Sequence, residues 1–288
     1  MWRNARIIMA LVVIVIGVGP ALAAEPNAAT VTKKLLWRQE FNGKANTAPD
    51  PKVFTYDLGD GGGWGNSEQQ YYTKQRQNVR IDGKGNLVIS AVRIPDPLYF
   101  DPCITCSFTS ARLKTQDRVG FRYGRIEARI KIPAGVGTWP AFWMLGADLG
   151  KTTTWPDSGE IDIMEAKGSQ PNWAYGTVHG PGYSGGQAIG GLYISPQVLS
   201  EGYRVYSIDW KPNLIEFYVD GNPYFQLDPT LLGERKWVFN KEYFLILNIA
   251  MGGNFTGEID PALQQADMYI DYIRYYSLNG IGKVIKRS

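Results

Sequence analysis

The sequence predicts an all-β protein, a sandwich or jelly roll, on three observations. Past residue 30, few windows carry the apolar period of an amphipathic helix. Short alternating or β-branched runs recur instead, punctuated by clusters of Gly, Pro, Asn and Asp. No helix-length segment separates consecutive runs, which disfavours parallel βαβ units and leaves sheets packed face to face. The chain has 288 residues, 44% of them apolar, enough for one sizeable core. No repeat or linker divides it, so residues 25–288 read as a single domain.

The N-terminal segment reads as a signal peptide over residues 1–24. Arg3 and Arg6 supply positive charge, Ile7–Val18 is an apolar run too short to span a bilayer comfortably, and Pro20-Ala21-Leu22-Ala23-Ala24 supplies small residues for cleavage. An uncleaved anchor is disfavoured, because no further apolar residues or stop-transfer charges follow. A secreted or periplasmic protein is expected, with no membrane contact after cleavage. The formal charge is +3, and losing two arginines and no acid with the leader makes it +1. No basic block points to nucleic acid, and a near-neutral surface offers no electrostatic capture of a charged partner. The 9 Trp, 17 Tyr and 33 Gly suit a turn-rich β-protein that handles sugars, although aromatic rings also fill ordinary cores. A monomer is expected.

Taken in order, the strand-like runs are these. Leu87–Arg93 comes first. Arg125–Pro133 follows, with Ile126, Ala128, Ile130 and Ile132 on one face and Arg125, Glu127, Arg129 and Lys131 on the other, the pattern of a half-solvated strand. Tyr203–Trp210 and Leu214–Asp220 flank Lys211-Pro212-Asn213, which reads as a hairpin loop. Tyr243–Met251 and Met268–Tyr276 are mostly apolar. Loops are expected at Asp57–Gly65, Pro95–Pro102, Ala147–Gly159 and Gly180–Gly191, and the tail Lys283–Ser288 is expected to fray. The two cysteines, Cys103 and Cys106, lie in a loop rich in Pro, Asp and Ser/Thr. One histidine and two cysteines are too few for a zinc site, and no βαβ unit is nearby for a redox motif, so a local disulfide or free thiols remain.

The chemistry concentrates in Ser158-Gly159-Glu160-Ile161-Asp162-Ile163-Met164-Glu165-Ala166. Strand alternation puts Glu160 and Asp162 on one face and Ile161 and Ile163 in the core. Strict alternation would also bury Glu165, which is costly for a lone carboxylate. A β-bulge near Ile163-Met164 resolves the conflict by returning Glu165 to the acidic face. Like charges crowded together force one acid to keep its proton near neutral pH. Two such acids about 5–5.5 Å apart can cleave a glycosidic bond with retention, one attacking and one donating a proton. From the spacing alone, a solvated acidic face or a Ca²⁺ site is as good a reading.

Glu160-Ile161-Asp162-Ile163-Met164-Glu165 resembles the E-x-D-x-x-E signature of glycoside hydrolase family 16. Further blocks resemble its laminarinase branch: Gly63–Thr73, Tyr123–Arg129, Gly137–Met144, Thr177–Gly180 and Asn248–Asn254. The resemblance implies a β-jelly roll of two antiparallel sheets whose concave face holds a glycan cleft. It implies Glu160 as nucleophile, Glu165 as general acid/base and Asp162 between them, tuning the proton balance. The implied activity is endo-hydrolysis of β-1,3-glucan, with no cofactor for catalysis.

For Trp139 and Trp143, four apart on a strand and so facing the same way, the resemblance favours the cleft, where an indole can stack on a sugar ring, over a core position. Asn66 and Arg112 match positions that contact glucose hydroxyls, Glu68 is a further candidate, and His179 matches a cleft histidine. Family relatives often carry a structural Ca²⁺, for which Glu40, the Gly83 carbonyl and Asp271 are the matching positions.

Gly182-Tyr183-Ser184-Gly185-Gly186 matches the nucleophile-elbow pattern, but the Gly-rich sequence after it offers no helix, so it reads as a mobile loop near the cleft. Asn254-Phe255-Thr256 is a glycosylation sequon, meaningful only in a host that glycosylates. Gly180 stands where many laminarinases have Trp, Ser67 where the branch often has Asn and Gln69 where it often has Leu. Three rivals share the scaffold: hydrolysis of mixed-linkage or sulfated and galactan polymers, transglycosylation, and non-catalytic β-glucan recognition. The last is disfavoured because all three acids are present, and sulfated substrates because the cleft segments show mainly Arg112.

Overall fold

A computed structural model of the chain describes residues 31–96 and 103–287. The leader at residues 1–24 and most of the Pro95–Pro102 loop lie outside the described residues. In chain order the strands are β1 (Lys33–Gln39), β2 (Thr55–Asp57), β3 (Gln70–Tyr72), β4 (Val79–Ile81), β5 (Leu87–Arg93), β6 (Phe108–Ser110) and β7 (Arg112–Lys114). They continue with β8 (Val119–Arg122), β9 (Gly124–Lys131), β10 (Thr138–Gly146), β11 (Glu160–Glu165), β12 (Trp173–His179) and β13 (Ile189–Ile194). The last six are β14 (Arg204–Lys211), β15 (Leu214–Val219), β16 (Asn222–Leu227), β17 (Tyr243–Met251), β18 (Gln265–Leu278) and β19 (Lys283–Lys286). Two four-residue helices, α1 (Pro229–Leu232) and α2 (Gly253–Thr256), are the α-helical content of the described residues. None is long and apolar enough to cross a membrane.

The strands form two sheets. One has ten strands and runs β16-β15-β14-β9-β18-β5-β6-β3, with β1 on β18 and β4 on β5. The other has nine and runs β13-β12-β11-β10-β17-β7-β2, with β8 and β19 continuing from β17. Pairing is antiparallel except between β3 and β6. One core fills the space between the sheets. Ile126, Ala128 and Ile130 of β9 and Ile208 and Trp210 of β14 meet Phe142 and Met144 of β10, Ile161 and Ile163 of β11, and Leu245, Leu247 and Ile249 of β17. Each fully buried aliphatic or aromatic side chain contributes about 1.5–3 kcal/mol, so this interlayer sets the spacing of the sheets on which the site depends.

The Arg125–Pro133 reading needs one amendment. The face opposite the isoleucines is polar but not freely solvated. Arg125 is 6% exposed, bonded to Asp209 at 2.7 Å, Glu127 at 3.0 Å and Ser207 at 2.8 Å. The Lys211–Leu214 hairpin closes on Pro212-Asn213, with Asn213 at a positive φ of 58° that asparagine tolerates. The tail is not frayed: β19 pairs with β8 over four residues, and Arg287 bonds Glu242 at 2.6 and 2.9 Å. Its four residues, Lys-Val-Ile-Lys, do not alternate, and so short a run carries no strand signal in the sequence.

Candidate active site

The acids owe their common face to one extra residue. Against β10, Glu160 lies opposite Leu145 and Asp162 opposite Trp143, whereas Met164 is opposite Phe142 and Glu165 opposite Ala141. Ile163 is therefore the bulged residue, where alternation required one. On the other side, Glu160, Asp162 and Glu165 face His179, Thr177 and Tyr175. Alternate positions on both neighbours mean that the three carboxylates project from one side of the sheet. Ile161, Ile163 and Met164 are buried in the interlayer core on the other.

Each end of the acid row has its own surroundings. Glu165 Oε1 accepts a 2.7 Å hydrogen bond from Trp139 Nε1. Phe255 of α2 stacks on Trp139 at 4.7 Å and meets Tyr175 at 5.5 Å, while Lys167 Nζ sits 4.1 Å above the Phe255 ring. This apolar wall strips water from Glu165. Burial lifts its carboxyl to about 7, against the downward pull of His179, Trp139 and Lys167 and with the upward push of Glu160. Glu160 Oε2 instead accepts a 2.6 Å bond from the indole of Trp155, a residue 44% exposed in the loop before β11. Asp162, between them, is 2% exposed. Burial first, then the charges of Glu160 and Glu165, push it well above the usual carboxylate range, and a hydrogen bond to Glu160 favours its protonated form.

His179 lies beside this pair. Its Nε2 is 3.1 Å from Asp162 Oδ2 and 4.0 Å from Glu160 Oε1. The nearer contact is off the N–H axis, so Oδ2 is close to the imidazole yet has no aligned donor. Nδ1 accepts from the Gly185 N–H at 3.2 Å, which assigns the ring proton to Nε2. Gly185 belongs to the elbow-like segment. That segment is a loop between β12 and β13, with Tyr183 fully buried and a three-residue 3-10 turn in place of a helix.

Towards β7, Arg112 is held between two indoles, its guanidinium 4.8 Å from the Trp64 ring and 4.6 Å from that of Trp143. Its Nε is 3.0 Å from Asp57 Oδ2, an ion pair without hydrogen-bond alignment. Trp143 Nε1 donates to Asn248 Oδ1 at 2.7 Å, and Trp143 and Trp139 are both half-buried. Asn66 Nδ2 donates to Glu68 Oε1 at 3.1 Å, and Gln70 Nε2 to Glu68 Oε2 at 2.7 Å. Burial raises the Glu68 carboxyl despite these bonds.

Thus Trp139, Trp143, His179 and the three acids share adjacent strands, with Arg112 two strands away from Trp143's and Asn66 in the loop before β3. Glu40, Gly83 and Asp271 belong with the other sheet. There Glu40 is bidentate on Arg274 at 2.9 and 3.0 Å, and Asp271 bonds Arg129 at 2.6 Å. Both carboxylates are thus already neutralised by guanidinium groups, an arrangement that does not fit an open oxygen cage for Ca²⁺. Cys103 and Cys106 form a disulfide. Trp155, Trp64, Tyr175, Phe255, Lys167 and Asp57 were not singled out from sequence. Trp64 lies in the Gly63–Thr73 segment and Phe255 in the sequon, but nothing local marks a ring that meets its partner across a loop. A cavity of about 880 Å³ lies between segments 148–157 and 236–241 and is lined by none of Glu160, Asp162 and Glu165.

Comparison with known proteins shows the family of the chain. Residues 66–274 match the family described as Glycosyl hydrolases family 16. A beta-glucanase of Rhodothermus marinus is 39% identical over 84% of this chain and 85% of its own length. Glucan endo-1,3-beta-glucosidase A1 of Niallia circulans is 36% identical over 84% of this chain, which spans 37% of that longer protein. The catalytic domain of an endo-1,3-beta-glucanase (laminarinase) from Thermotoga petrophila superposes with a TM-score of 0.79 at 41% identity, covering 86% of this chain and 99% of that one.

Proposed function

The chain belongs to glycosyl hydrolases family 16, and on that premise we propose that it cuts internal β-1,3 linkages of a laminarin-type glucan with retention of configuration. It is a glycoside hydrolase of the endo-β-glucanase type. The observation that carries the finer reading is the bulge at Ile163, which turns Glu160 and Glu165 to the same side of β11.

Their surroundings divide the labour. Glu165, lifted to about 7 by burial, holds a proton at mildly acidic pH and donates it to the departing glycosidic oxygen. The Glu160 carboxylate, aimed by the Trp155 indole, attacks the anomeric carbon and forms a glycosyl-enzyme. Glu165, now ionised, takes a proton from the water that releases the sugar, which returns both groups to their starting states. Asp162 keeps its proton next to Glu160, so that a second negative charge does not stand beside the nucleophile. Trp139 and Trp143 offer ring faces to the sugar chain, with Arg112 behind Trp143. The near-neutral formal charge suits a neutral polymer. We place the activity outside the cytoplasm, on the support of the leader-like residues 1–24 and the Cys103–Cys106 disulfide.

Incubation with laminarin, curdlan, barley β-glucan, agarose and carrageenan tests the substrate. Internal cuts in laminarin are expected, whereas binding without new reducing ends would sink the hydrolytic reading. Proton NMR of the first products should show the β-anomer, and an α-anomer would exclude double displacement. Glu160→Gln and Glu165→Gln should each cost about 10²–10⁴-fold in turnover with the fold kept, and near-normal activity in either removes its assignment.

A further inference from the structure

We propose that Glu160, Asp162 and His179 also form a binding site for a borderline divalent ion of the Zn²⁺ class, and that its occupancy reversibly blocks the cleft. One donor atom from each of the three residues lies within 4.8 Å of the others. The imidazole Nε2 is 3.1 Å from Asp162 Oδ2 and 4.0 Å from Glu160 Oε1. A tetrahedral zinc ion with ligands at 2.0 Å needs its donors about 3.3 Å apart, within the range already present. The second observation is Asp162 itself. Its side chain is 3% exposed, and Oδ2 is buried beside His179 with no aligned donor. That oxygen is left uncommitted in a water-poor site, and a cation that displaces the proton Asp162 otherwise holds, releasing it to solvent, would satisfy it.

The donor set selects the ion. One imidazole nitrogen and two carboxylate oxygens suit zinc, whereas calcium and magnesium favour six or more oxygens. Glu160 and His179 keep 16% and 14% of their side-chain surface, which leaves a cleft-facing position for water. Binding requires the ring proton to move from Nε2 to Nδ1, so the long Gly185 N–H contact must open. Gly185 is exposed, and a Cβ built on it meets nothing within 4 Å, so that loop has room to withdraw. A metal-bound Glu160 cannot attack a sugar, so ion and substrate exclude each other.

The sequence makes the test clean. His179 is the one histidine, and both cysteines are in the disulfide, so no other imidazole or thiolate competes. Titration of the tag-free protein with zinc chloride by calorimetry should show one site, weakened at least about tenfold in His179→Gln. In the wild-type protein, zinc should protect His179 from diethylpyrocarbonate, read by mass, while calcium at the same concentration should not. This arm keeps the proposal testable if the variant fails to fold. Inhibition of laminarin cleavage should be competitive and reversed by chelator, an arm that alone rests on the proposed function. Equal zinc affinity in folded His179→Gln, no stoichiometric binding, or equal protection by calcium would overturn the site, whether or not the chain cleaves glucan.

Discussion

Trp155 is 44% exposed, yet its indole holds a 2.6 Å hydrogen bond to Glu160 Oε2. An exposed large aromatic is uninformative by itself, but one that donates to a catalytic carboxylate has two separable roles, stacking on a sugar and aiming the nucleophile. Trp155→Phe keeps a ring face and removes the donor. A hydrogen bond to a charged group is worth about 1.5–3 kcal/mol, so kcat should fall roughly 10- to 100-fold with KM little changed. A raised KM at unchanged kcat would assign Trp155 to sugar binding alone. Glu165 sets the pH response. As a proton donor with a value of about 7, it should make kcat/KM fall as pH rises through that value. Its linkage to stability has a definite sign. The folded value lies above the usual 4.5, so this group's contribution to stability is fully present below pH 4.5 and is lost as pH rises through about 7. The full difference corresponds to at most about 3–4 kcal/mol. Glu165→Gln should therefore melt at higher temperature than wild type at pH 8 and show a flatter pH dependence by calorimetry. A lower melting temperature there would remove burial as the cause of the raised value.

At the scale of the strand, the catalytic row depends on β11 having one residue more than its partners. The need for a bulge was legible in the sequence, because Glu165 in an unbroken alternation would enter an apolar layer. So was the shared face of Trp139 and Trp143. The Trp155, Phe255 and Arg112 contacts were not, since they join a loop to a strand or cross two strands, and local periodicity carries no information about such partners. Deleting Ile163 tests the bulge directly. The shortened strand, Glu-Ile-Asp-Met-Glu, would alternate without a bulge and keep Glu165 opposite Ala141, on the face of Glu160 and Asp162. Losing the buried Ile163 side chain costs about 2–5 kcal/mol. Turnover on laminarin should therefore be lowered but still measurable, and the melting temperature should drop by several degrees. A folded deletion variant with no detectable cleavage would show that the acids need the bulged spacing itself and not only a shared face.

Across the molecule, sequence patterning gave the faces of strands but not their neighbours. β1 pairs with β18 at the far end of the chain, and β3 lies parallel to β6 in sheets otherwise antiparallel. Both pairings are fixed by closing one core between two sheets rather than by any local signal. The C-terminus is where this matters most. Lys283–Lys286 carries only two apolar residues, and in isolation such a segment is too short and too charged to predict as structured. In the fold it meets the open edge of β8, where Val284 packs against the main core and Arg287 clasps Glu242, just before β17. Removing residues 283–288 would expose that edge and forfeit two half-buried side chains, a backbone ladder and an ion pair. Burial alone suggests about 2 kcal/mol, and the partly exposed ion pair adds less than about 1. For a domain of this size that is a melting-temperature decrease of roughly 4–10 °C. The acids of β11 do not pair with this edge, so kcat and KM on laminarin at 25 °C should stay within about twofold of the full chain. Unchanged thermal stability on truncation would mean that β19 adds no strand to the sheet in solution. A large loss of kcat at full foldedness would mean instead that β8 and β17 transmit the change to the acid row.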